Sequence, residues 1–367
     1  MSSTTTIAQR LAQVNFRPSG FDYMRLVLAA GVIYAHAMLL TGTKTPWHAT
    51  VNSAQGILIT LIVPMFFALS GFLVAGSLER TRTLVSFLGL RVFRIMPALN
   101  VEVILSAVIL GSLFTTLPLR EYFAHAQFYN YFWNMLGHVQ YHLPGVYEAN
   151  PLTSVNGQMW TVPYELVCYV ILSVLAITGV FKNRRWLLAF MALYYAAQIA
   201  NTVLRPNPGY GGAGGSTVVM AFVAGLLIYR YRDKLSWSLG MATAASGLTV
   251  SLICFVPNGI RFTALPLAYV TAYLGLLNPP RNGTVLSGDY SYGMYLYAYP
   301  IQQAVVALFP EHRNWYFNFA VSLPLAVAFA CFSWWCVEKP VMDRKGVLRD
   351  LEDWYIKNVR VGRLRPQ

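Results

Sequence analysis

Charge is what this 367-residue chain has least of. Aspartate, glutamate, lysine and arginine supply 11% of it, against about 25% in ordinary soluble domains. With 56% hydrophobic residues, that deficit excludes a typical soluble fold and implies a polytopic membrane protein. Cysteine is also scarce. Cys168, Cys254, Cys331 and Cys336 fall inside apolar runs without CxxC spacing, which argues against a metal ribbon or disulfide framework and leaves them as small packing residues. There is no HExxH, and the glycine-rich stretch at 209–215 lacks the Lys-Ser/Thr of a phosphate loop, so no metal is expected. No internal repeat is visible, which weakens the case for a transporter built from inverted halves. The first twenty residues are polar, and the run after them lacks a clear small-residue cleavage site; it reads as a retained first span.

What the chain does have is apolar runs of membrane-crossing length, about 20 residues each. They fall near 21–40, 56–76, 98–117, 160–180, 186–204, 216–230, 236–256, 261–278, 285–308 and 315–337. The expected fold is therefore an all-α integral membrane protein of about ten transmembrane helices around an intramembrane cavity. A net charge of +13 is also found in nucleic-acid binders, but here the basic residues are distributed by loop. With a cytoplasmic N-terminus, 21 of the 27 lysines and arginines lie in inner segments, five in outer ones, and Arg25 inside the first span. That bias supports ten spans with both termini cytoplasmic, and no nucleic-acid partner. The chain divides into a cytoplasmic segment at 1–20, a transmembrane domain at 21–340 and a basic cytoplasmic tail at 341–367. Only 118–159 is a long outer segment, rich in Tyr, Phe, Trp, His and Asn, which suits an interfacial helix or a lid. Its His125, His138 and His142 read as interface residues.

The first span, FDYMRLVLAAGVIYAHAMLL, carries Arg25 and His36, and ionisable residues inside a membrane point to a site. Eleven helical positions put both on one face, about 16 Å apart along the axis. The plain alternative is that Asp22 and Arg25 pair with each other while His36 sits at the outer interface. A second motif runs through residues 64–99, where Ser70-Gly71 permits close packing and Arg91 and Arg94, an i, i+3 pair before Pro97, suit a phosphate. In the third, GQMWTVPYELVCYV, Glu165 shares a face with Thr161 and Tyr169 and needs a partner, with His36 or Arg25 as candidates. The fourth, DYSYGMYLYAYPI, is an aromatic stretch suited to packing or cavity lining. The fifth, CVEKP, closes the last span with Glu338 beside Lys339, an ordinary interfacial ion pair on its residues alone.

In this order, over nearly the whole chain, these residues resemble acyltransferase family 3, membrane proteins that O-acetylate bacterial glycans and some small molecules. The resemblance rests on Arg25 and His36 after Asp22, FFALSGFLVAGS with Arg91, Arg94 and Pro97, Trp160-Thr-Val-x-x-Glu165 with Tyr169, SYGMYL at 291–296, and Glu338-x-Pro340. One position departs: Ala298 stands where many members have a histidine. No appended soluble domain follows the tenth span, so the chain resembles the stand-alone form, whose acceptors include O-antigen, exopolysaccharide and lipo-chitooligosaccharide nodulation signals. The resemblance implies an acetyl-CoA (acyl-CoA) donor, a carbohydrate or glycolipid acceptor, and the inner membrane of a bacterium.

Under that resemblance Arg25, Arg91 and Arg94 would bind the CoA phosphates, and His36 would act as the base with Glu165 orienting it. Asp22, Ser70, Trp160, Tyr169 and Tyr292 would line the cavity. The competing reading is a transporter of a lipid-linked sugar or small metabolite, with Arg25 and Glu165 as cavity charges.

Overall fold

The computed structural model describes residues 5–42, 54–204 and 213–358. The glycine-rich loop at 209–215, Lys44, Arg205 and the end of the basic tail lie wholly or largely outside them. Among the described residues the chain is helical, without strands; two isolated bridges join Thr6 to Ser236 and Thr115 to Val146. Five helices are long and apolar enough to cross a membrane: Ser19–Leu40, Gly56–Arg80, Leu84–Phe114, Gly157–Ile177 and Trp315–Asn358. Shorter apolar helices occupy Gly215–Arg230, Leu239–Phe255 and Ala264–Gly275. The chain forms two compact units.

One unit comprises Met1–Leu28, Pro46–Arg80 and Tyr164–Leu286. Its centre is the Gly215–Arg230 helix, buried almost without break from Thr217 to Tyr229, as expected of a helix that is apolar on every side. Glycine sets how near its neighbour comes. A Cβ on Gly71 would stand 2.0 Å from the Phe222 carbonyl oxygen, and one on Gly225 would stand 2.1 Å from that of Ala68. The helices thus touch backbone to backbone, the packing mode that small residues permit in membranes. At the end of this pair Glu79 accepts from Arg230 at 2.7 Å, from Arg232 at 3.0 Å and from the Tyr229 hydroxyl at 2.9 Å. In a loop of the same unit, a hydrogen bond from Arg184 holds the Asp233 carboxyl below its usual range.

The polar N-terminal segment contains an element that the sequence reading left out. Helix Ile7–Gln13 is closed by a capping box between Thr6 and Gln9. It docks through Ile7, fully buried, and through Arg10, whose guanidinium lies 4.4 Å from the Trp237 ring centre. The first long helix then begins at Ser19.

The other unit comprises Ala29–Thr45, Thr81–Pro163 and Ser287–Gln367. Here the third apolar run starts earlier than its hydropathy suggests. Leu84–Ile104 is one helix with Pro97 inside it, continued by a π-helical segment, Leu105–Leu110, and a last turn to Phe114. Arg91 and Arg94 therefore sit within a helix, not ahead of one. Thr83 caps its start, accepting from the Ser86 backbone. Ser291–Leu308 pairs with Trp315–Ser333, where Gly293 lets the chain approach Ala330 closely. Residues 118–159, expected as the long outer segment, begin with short helices, Leu119–Ala124 and Ala126–Tyr131, in which Tyr122 and Tyr131 are fully buried. Its histidines serve locally: His125 accepts from the Gln127 backbone, and His138 meets Gln140. The tail opens as a helix, Gly346–Asn358, held to the Leu84 helix by Thr83 with Glu352 and Arg82 with Asp353.

Candidate active site

His36 is four residues from the end of the unbroken Ser19–Leu40 helix that also carries Arg25. Its imidazole meets the Tyr299 ring edge to face, with centroids 5.0 Å apart and planes at 81°. Nδ1 is shielded from solvent and has no hydrogen-bond partner among the described residues. A buried imidazole nitrogen in this state keeps an unmet need for a donor or acceptor.

The unit that holds His36 gathers most of the other motifs. Arg94 is committed to Asp289, Nη2 to Oδ2 at 2.5 Å, and Asp289 also accepts from the Ser291 hydroxyl at 2.9 Å. One turn earlier, the Arg91 guanidinium lies 5.7 Å from the Phe87 ring centre. The Tyr292 hydroxyl donates to the Ile95 carbonyl at 3.2 Å, so the RVFRIMP and DYSYGMYL stretches are joined at two points. The third motif enters through its first residues. Gln158 donates to the Leu296 carbonyl at 2.6 Å, and Thr161 meets the Tyr295 hydroxyl at 2.7 Å. Trp160 is half-buried in the same short helix, Gly157–Thr161. The tyrosines expected to pack or line a cavity thus also tie backbones together.

Two carboxylates in this unit escaped notice in the sequence or were misread there. Glu102, fully buried, takes hydrogen bonds on Oε1 from Ser106 at 2.6 Å and Asn156 at 2.8 Å, and Asn156 also contacts the Tyr131 hydroxyl. A glutamate in the middle of an apolar run was the available signal. Glu338 does not pair with Lys339. It is buried and accepts from Ser333 at 2.7 Å, and Ser333 in turn receives the Tyr297 hydroxyl at 3.4 Å; Lys339 lies over the Trp335 ring instead. A π-helical segment, Trp334–Glu338, turns the glutamate inward, a register change that hydropathy does not encode.

The remaining site candidates lie in the first unit. Arg25 stands 4.0 Å from Asp22, and Asp22 is 3.3 Å from Arg281. The local pair expected as the plain alternative is thus present, extended by a second cation. Glu165 accepts from the Tyr169 hydroxyl at 2.6 Å, one turn along the helix. That bond is the partner the structure gives a carboxylate expected to face His36 or Arg25. Ser70 is half-buried beside the Gly71 contact.

A family model described as an acyltransferase domain matches residues 19–338. The chain belongs to acyltransferase family 3. It is an acyltransferase. Among its relatives is an O-acetyl transferase of Shigella phage Sf6, 26% identical over 344 residues that cover 88% of this chain and 96% of that one. Nodulation protein 10 of Rhizobium leguminosarum bv. viciae is 27% identical over 358 residues, covering 88% of this chain and 93% of the relative. No solved structure gives a significant match. The family match starts at Ser19, where the first long helix starts, covers the first four motifs whole and ends at Glu338 within the fifth. The acyltransferase reading and the membrane character therefore rest on independent observations.

Proposed function

We propose that this acyltransferase is an O-acetyltransferase of the bacterial inner membrane. It moves acetyl from acetyl-CoA to a hydroxyl of a saccharide or lipid-linked sugar, through ten spans around an intramembrane cavity and with both termini cytoplasmic. The observation that carries the reading is His36 Nδ1, buried and without a partner on an apolar helix, the condition in which an imidazole awaits a hydroxyl. In the reaction Nδ1 takes the proton of the acceptor hydroxyl as its oxygen bonds to the thioester carbonyl carbon. The carbon–sulfur bond then breaks, and the CoA thiolate leaves with the proton that the imidazolium returns. No serine or cysteine nucleophile is needed.

Arg25, Arg91 and Arg94 are the groups proposed to bind the phosphates of CoA, for which guanidinium forks are suited. Arg94 also pairs with Asp289. Glu165 is the proposed orienting carboxylate. The printed name of the phage relative, O-acetyl transferase, supports acetyl as the group moved. In the outer segment Tyr129 and Trp133 are 61% and 53% exposed, which supports a carbohydrate acceptor, since sugar rings stack on such faces. Nodulation protein 10 makes a lipo-chitooligosaccharide signal one acceptor to test.

The experiment is acetyl transfer from radiolabelled acetyl-CoA to endogenous glycolipid in membranes holding matched amounts of wild type and His36→Ala. A general base is worth about 10²–10⁴-fold, so the variant is expected to lose transfer by that factor. Undiminished transfer overturns the assignment.

A further inference from the structure

The structure assigns Tyr299 as the positioning residue of His36: its ring sets the plane of the imidazole, and a network on the outer segment sets the ring. This inference rests on the catalytic reading of His36 only for its effect on rate.

The two helices that carry His36 and Tyr299 meet at two successive levels. Tyr299 packs on His36, and three residues further on Gln302 donates from Nε2 to the carbonyl of Ile33 at 2.7 Å, three residues before His36. Equal steps in opposite directions describe an antiparallel pair in register, one helical turn between contacts. Gln302, itself fully buried, is held by Asn318, which accepts from its Nε2 at 3.1 Å and donates to its carbonyl at 3.0 Å. His36 therefore has its backbone held one turn below and its ring met at its own level.

Tyr299 has no freedom of its own. It is 2% exposed, and its hydroxyl meets Ser154 at 2.6 Å. Ser154 is fixed in turn, since Gln303 Nε2 donates to the Ser154 carbonyl at 2.6 Å and to that of Leu152 at 2.8 Å. The underside of the ring rests on Gly157, where any Cβ would stand 2.5–2.6 Å from Tyr299 ring and hydroxyl atoms. Only glycine leaves that room. The imidazole edge-to-face geometry is thus the end of a chain of contacts that begins at residues 152–157 of the outer segment. An aromatic ring meeting an imidazole this way restricts its rotation, and Nδ1, which has no hydrogen-bond partner among the described residues, is left for a substrate.

The test uses the full-length protein in detergent and in membranes. Tyr299→Phe keeps the ring and loses only the Ser154 contact; Tyr299→Leu removes the ring; Gly157→Ala displaces it. Two readouts are taken on each, acetyl transfer and the rate at which diethyl pyrocarbonate modifies His36, followed by peptide mass spectrometry. We expect Tyr299→Leu and Gly157→Ala to lower kcat at least ten-fold with KM for acetyl-CoA within two-fold. Both should change the His36 modification rate several-fold, and Tyr299→Phe, which keeps the ring but releases it from Ser154, should fall between them and wild type on each readout. If Tyr299→Leu and Gly157→Ala fold and leave the modification rate unchanged, Tyr299 does not position His36 and the inference falls. If the modification rate changes but His36→Ala still transfers acetyl, the positioning holds and it is the catalytic reading that fails.

Discussion

Asn156 serves two buried groups at once, the Glu102 carboxylate and the Tyr131 hydroxyl, and is itself fully buried. Removing one partner from such a set strands the others, which costs more than the bond itself was worth, because a buried polar group that loses its donor regains no water. Asn156→Ala is expected to destabilise by about 1–3 kcal/mol, read as a lower melting temperature in detergent. In the Glu102→Gln background the same change should cost less, because an amide tolerates the loss of a donor better than a carboxylate. Equal costs in both backgrounds would show that Asn156 and Glu102 are not coupled.

At the scale of elements, the close approach between the helices ending at Arg80 and Arg230 depends on two hydrogen atoms. Gly71 and Gly225 each face a backbone carbonyl at a distance no Cβ can occupy. Backbone cannot move aside as a side-chain tip can, so Gly71→Ala must push the helices apart. Overpacking of this kind costs about 1–3 kcal/mol, and the variant should melt earlier in detergent while still inserting into membranes. A variant that melts with wild type would mean the helices separate freely. The Leu84–Phe114 helix shows a different economy. It contains Pro97, is capped at its start by Thr83 and takes Leu348 of the tail helix against Gly89.

For the whole molecule, the proposed topology follows from the placement of 21 basic residues against five. Because lysine and arginine in short loops resist translocation, single cysteines introduced near Arg184, Lys234 and Arg281 are expected to react with membrane-permeant reagents only. Those near Arg120 and Arg313 should react with impermeant ones from outside. Labelling of Arg281 and Arg313 neighbours from the same side would remove the span between them, and with it the ten-span count.

The sequence alone determined the membrane character, the helical class and the family, because each rests on signals that survive without contacts: long apolar runs, the distribution of charge, and motifs in order. It also carried unread signals. The Thr6-x-x-Gln9 capping box marks the helix that the polar N-terminal segment hides, and Glu102 stands inside the apolar run at 98–117. Partners are another matter. Glu165 accepts from Tyr169, Arg94 pairs with Asp289 195 residues away, and Glu338 turns inward from Lys339 on a π-helical segment. Spacing along one helix says which residues share a face. Only tertiary packing says what that face meets. For His36 it meets Tyr299 over Gly157, because a glycine more than a hundred residues from either helix leaves the one space into which the ring fits.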